Sequence, residues 1–123
     1  MADNREYLIH TEDSGSINIS EDVLVSIVTK AIGEIEGADS LMNASMTEQL
    51  AEQFKGKKKP ARGIRVEPKD DGIALTICLM VKYGYAIPEV AAKVQESVMS
   101  SITSMTGFTV TGVDVHVGGI SFN

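Results

Sequence analysis

The sequence predicts an α+β fold: a mixed β-sheet of four to five strands with two main helices packed on one face, a split β-α-β-like arrangement. Three observations carry this. Ile19-Ser20-Glu21 opens an apolar helix that stops at Gly37, and Ile87-Pro88-Glu89 opens a second that stops at Gly107. A strand-like run stands before and after each of them. Between the two helices, Ile73 to Tyr83 alternates as a long strand must, with Ile73, Leu75, Ile77, Leu79, Val81 and Tyr83 on one parity.

The elements follow in chain order. The first fourteen residues carry Asp3, Glu6, Glu12 and Asp13 with little periodicity, and read as a flexible acidic N-terminal tail over 1–14. Gly15 to Ile19 alternates polar and apolar, as a short strand should. Ser20 then stands at an N-cap position, and Glu21 and Asp22 favour the positive end of the helix dipole. Val23, Leu24, Ile27, Val28, Ala31, Ile32 and Ile35 form one apolar stripe on that helix. Ala38 to Ala44 predicts a further strand, and Leu50, Ala51 and Phe54 predict a short extra helix near 47–54. Ile64 to Glu67 reads as a strand and Pro68 to Gly72 as a turn.

Pro88 suits the first turn of the second helix, where a missing backbone donor is tolerated. Val90, Val94, Val98, Ile102 and Met105 mark its buried stripe. The last strand, Thr109 to Val117, changes phase: Val110 lies on one parity, whereas Val113, Val115 and Val117 lie on the other. A strand that keeps one face buried needs an extra residue to do this, so a bulge is expected near Gly112. Residues 118–123 read as a short tail, and 15–120 as a single domain. The second sheet face, with Thr76, Met80 and Lys82, is less apolar and should meet solvent or a partner.

Composition narrows the function. The chain has 123 residues, 43% of them hydrophobic, and a net charge of −6. That is ample for one soluble domain and unfavourable for a general nucleic-acid binder, which needs concentrated positive charge. No apolar run reaches the roughly 18 residues of a spanning helix, and the N-terminus lacks a signal peptide's apolar core. A single cysteine, Cys78, excludes an internal disulfide. A cytoplasmic protein is expected.

Chemistry-bearing groups are scattered. His10 and His116 have no neighbours at metal-ligand spacing, no phosphate-binding glycine loop is present, and Cys78 has no adjacent base. Neither an enzyme nor a cofactor or metal is expected. Two features keep functional interest. Six of the eleven Lys and Arg residues, Lys55, Lys57, Lys58, Lys59, Arg62 and Arg65, fall within 55–65. The stretch reads as an exposed basic loop. It is either merely solvated or a contact for an acidic partner, an anionic membrane surface or RNA. RNA binding through this loop is the alternative function, although the paired sheet aromatics and Gly-x-x-Gly clamp of known RNA modules are missing. The other feature is Tyr83 with Tyr85, which either pack their own turn or anchor a protein interface.

The ordered motifs Gly15-Ser16-Ile17-Asn18-Ile19-Ser20-Glu21-Asp22-Val23, Glu36-Gly37, Val81-Lys82-Tyr83-Gly84 with Ile87-Pro88-Glu89-Val90-Ala91, Val94-Gln95, Met105-Thr106-Gly107 and Val113-Asp114-Val115-His116-Val117 resemble the alkaline shock protein family. The resemblance runs from about Gly15 to Ile120. It implies a small, non-enzymatic bacterial protein of the cytoplasm, self-associating and linked to cell-envelope stress. In that family some members are held near the membrane by a separate anchor protein, and others are connected with fatty-acid synthesis. The family has no agreed catalytic residues to carry over.

Overall fold

The structure, a computed structural model, describes residues 5–42 and 63–122. It is α+β, with the elements β1 (Glu6–Glu12), β2 (Gly15–Ser20), α1 (Glu21–Gly33), β3 (Ala38–Leu41), β4 (Ile64–Lys69), β5 (Gly72–Lys82), α2 (Ile87–Thr106) and β6 (Val110–Ser121). The short helix expected near 47–54 lies outside the described residues.

β5 organises the main sheet. β6 runs parallel to it from Ile73 to Lys82, and β4 and β3 are both antiparallel to it. A strand has only two edges, so β4 and β3 share the one that β6 leaves. β4 takes Gly72 to Ile77 and β3 takes Leu79 to Val81. Cys78 is the joint: its N–H donates to the Gly63 carbonyl, and its carbonyl accepts from the Met42 N–H at 2.9 Å. β3 and β4 are thus two halves of one edge strand, interrupted where residues 43–62 depart and return.

Alternation along β5 sends Ile73, Leu75, Ile77, Leu79 and Val81 into the core, where each is almost fully buried. Both helices lie on that face. α1 contributes Leu24, Ile27, Val28, Ala31 and Ile32, and α2 contributes Val90, Val94, Val98 and Ile102 at intervals of three or four. The two-helices-on-one-face layout expected from the sequence is present.

The boundaries differ in four places. Residues 6–12 of the expected tail form a strand, paired antiparallel with β2. Tyr7 anchors this hairpin: it is 8% exposed, its ring meets Phe108 edge-on at 6.5 Å, and its hydroxyl donates to Glu21 Oε1 at 3.3 Å. Burial, reinforced by the Glu21 carboxylate, raises the Tyr7 pKa. The hairpin is a separate two-stranded sheet, so β2 is not part of the main one. Its first residues are exposed, and Gly15-Ser16-Ile17-Asn18 offers little apolar surface to bury in a core.

Helix α1 ends at Gly33 rather than Gly37. The next amides close shorter loops, Glu34 N–H to the Ala31 carbonyl and Ile35 N–H to that of Ile32. Gly37, at φ +97°, instead turns the chain into β3, with the Tyr85 ring packed where a Cβ would stand. Gly107 does close α2, in the left-handed conformation with its N–H on the Thr103 carbonyl.

In β6 the expected bulge is found: Ile73 stands opposite Val110 and Ala74 opposite Gly112, which leaves Thr111 over. A second bulge follows, because Leu79 faces Val117 and Met80 faces Gly119. Gly118 is the extra residue, and it lets the strand continue through Ser121 where a tail was expected.

Candidate interaction surfaces

The sheet face away from the helices is made by the other parity of β5 and its neighbours. Cross-strand register places Arg65, Thr76 and Asp114 in one row and Cys78 beside His116 in the next. Ser40, Met80 and Gly119 form a third. Glu67 lies between two cations, with Lys69 Nζ at 3.0 Å and Arg65 Nη1 at 3.8 Å. Cys78 is fully buried with Met42, and Met80 packs on both. A Cβ on Gly119 would come within 2.8 Å of the Met80 sulfur, so glycine is what lets Met80 lie across β6.

Burial pushes the Cys78 thiol up to about 11 from an ordinary 9.0. The folded chain therefore keeps this proton while the unfolded chain releases it. Between those two values the unfolded state binds fewer protons, and stability falls as pH rises. At pH 8, Cys78 should react with a thiol reagent at least ~100-fold more slowly in the native protein than in denaturant. Labelling followed by absorbance measures this directly.

Of the basic residues singled out in the sequence, Lys55, Lys57, Lys58, Lys59 and Arg62 lie outside the described residues. Arg65 belongs to β4 and not to the loop: its side chain is 20% exposed and extends towards Glu67. Among the described residues no group of three or more His, Cys, Asp or Glu side chains could hold a metal ion. A shallow polar groove of about 470 Å³ runs between the end of α1 and α2, with Glu34, Glu36, Glu96 and Lys93 on its walls.

The tyrosines separate in role. Tyr85 is largely structural, since its ring covers Gly37 and its hydroxyl donates to Glu36 Oε1 at 3.2 Å. That carboxylate raises its pKa. Tyr83 lies at the open end of the sheet, stacked on Phe122 with ring centroids 5.2 Å apart. The Tyr83 N–H donates to the Ser121 carbonyl at 2.8 Å, which fixes the two rings side by side. Tyr83 is 71% exposed and Phe122 76%. Phe122 was missed in the sequence because residues 118–123 read as a tail. The available signal was a second change of parity, between Val117 and Ile120.

These features define a small two-layer α+β domain with an exposed aromatic pair at one end of its sheet and its charged side chains spread over the surface. The chain belongs to the alkaline shock protein 23 family, described as having a cell envelope-related function, which it matches over residues 9–122. It is similar to the uncharacterized protein YqhY of Bacillus subtilis (strain 168), with 31% identity over 125 residues, 100% of this chain and 91% of that one. The uncharacterized protein Spy1614 of Streptococcus pyogenes serotype M6 is 31% identical over 112 residues, covering 91% of this chain and 92% of its own. Among solved structures, a variant of the MamM CTD superposes with a TM-score of 0.47 at 9% identity, covering 84% of this chain and 98% of that one.

Proposed function

We propose that this chain is a non-enzymatic interaction module that works in cell-envelope homeostasis under stress, from the cytoplasmic side and through a protein partner at the membrane. The observation that supports it most is the Tyr83–Phe122 pair. Two stacked aromatic rings, each more than two-thirds exposed at one end of a well-packed sheet, are the kind of surface that protein interfaces bury at their centre. Family membership supplies the envelope setting. No described helix is long and apolar enough to cross a membrane, which agrees with attachment through another protein.

Photo-crosslinking in living cells tests the reading. A photoreactive amino acid at position 83 should trap a defined envelope protein, and the same group at the exposed Thr103 on α2 should not. Equal yields from both positions, or none from position 83, would reject this surface as the contact.

A further inference from the structure

The outer edge of β6 presents a row of outward peptide groups. Ile73 and Tyr83 send their N–H groups to the carbonyls of Thr109 and Ser121, each at 2.8 Å, so the odd-numbered residues of β5 turn their peptide groups towards β6. Ile77 follows the same alternation. It stands beside Val115 in the parallel ladder and therefore bonds the flanking residues Asp114 and His116. The N–H and C=O groups of Val113, Val115 and Val117 consequently face the other way, along the outer edge. Gln95 of α2 confirms the direction, because its side-chain amide donates to the Val113 carbonyl at 2.9 Å. Among the described residues β6 pairs with no strand but β5.

Exposed edges are usually blunted by proline, lysine or bulges. β6 contains no proline or lysine, and its two bulges, at Thr111 and Gly118, leave an uninterrupted stretch from Gly112 to Val117 between them. The chemistry of that stretch is symmetric about its centre: Val113-Asp114-Val115-His116-Val117.

The geometry points to a second copy of this chain as the occupant of the edge, paired antiparallel to β6 about a two-fold axis at Val115. In that register Val115 lies opposite its own counterpart and Val113 opposite Val117, so the outward amides of all three valines find carbonyls. Asp114 then faces His116 of the second copy across a non-hydrogen-bonded pair, where side chains come closest, and His116 faces Asp114 in return. His116 also engages its own chain, and the imidazole has a second nitrogen for either contact. On the helix face Val115, Val117 and Ile120 are only half-buried, and the pairing would cover them. The flank of α2 above this edge carries Ala91, Gln95 and Met99 at i, i+4 spacing, which brings no charge against the second copy. The inference stands independently of the envelope reading, since it concerns the protein's association with itself.

Sedimentation equilibrium of the full chain should show a dimer. Asp114 is exposed, so Asp114→Lys should leave the circular dichroism unchanged while weakening the dimer by about tenfold or more, because like charges then face each other twice. Adding His116→Glu should restore association. Val115→Cys should form a disulfide between copies under mild oxidation, since hydrogen-bonded antiparallel pairs hold Cα atoms about 5.5 Å apart. The wild type, with Cys78 buried, should not. If Asp114→Lys fails to fold, the crosslink alone decides. A wild-type chain that stays monomeric at high concentration would overturn the inference. So would a dimer that is indifferent to Asp114→Lys and gives no crosslink at 115.

Discussion

Replacing Ile77 by alanine should lower the unfolding free energy by about 3–4 kcal/mol, the range for emptying a large side chain from a packed core. Ile77 is fully buried at the middle of β5, between Ile64 of β4 and Val115 of β6, with both helices above it. A cavity there cannot collapse easily, because sheet hydrogen bonds on both edges hold its floor in place. A domain of this size has about 5–15 kcal/mol of stability in total, so the variant should lose a large share of it. Urea denaturation followed by circular dichroism measures the loss. Asp71→Ala, in the exposed turn before β5, is the control and should change stability by less than about 0.5 kcal/mol. A loss below about 1 kcal/mol for Ile77→Ala would contradict the central position of β5.

Gly72→Ala should be nearly as damaging, at about 3 kcal/mol, for a different reason. Gly72 holds φ +150°, and an added Cβ would run into the Thr109 carbonyl oxygen. That oxygen accepts the Ile73 N–H and starts the β5–β6 ladder. The substitution therefore combines backbone strain with the displacement of a hydrogen-bonded carbonyl. Gly84→Ala separates the two effects. Gly84 is at φ +100°, and an added methyl there would meet nothing within 4 Å, so it should lose only the strain, about 1 kcal/mol. Equal losses at both glycines, measured by the same urea denaturation, would show that the contact with Thr109 is unimportant.

The parts of the fold that the sequence announced are those where one physical constraint acts over many residues. Alternation from Ile73 to Val81 and the spacing of Val90, Val94, Val98 and Ile102 are imposed by burial, so they can be read directly. The first bulge was legible for the same reason, since a change of parity in a buried strand has few explanations. The second bulge obeyed the same rule between Val117 and Ile120, but two glycines at the change of phase imitate a chain end. β1 was hidden because its register depends on one anchoring aromatic, Tyr7, among polar and acidic residues. The collinearity of β3 and β4 was out of reach, because it is defined only by the strand they share.

The site shows the same division. Tyr83 was visible as an unusual residue at a strand end, whereas its partner Phe122 lies across a parallel ladder that had first to be extended by a bulge. Arg65 looked like one of a run of loop cations, but strand pairing places it beside Glu67 on a sheet. Residue type identified candidates, and tertiary register decided which of them stand together.

In the proposed function, the Tyr83–Phe122 surface holds this protein to a partner at the cell envelope. Fractionation of cells producing either the wild type or the Tyr83→Ala, Phe122→Ala double variant tests it most directly. Both rings are largely exposed, so the double variant should fold, with an unchanged circular dichroism spectrum. The wild type is expected to sediment with the envelope fraction, and most of the double variant to remain in the supernatant. An equal distribution of the two, with both folded and equally abundant, would contradict it.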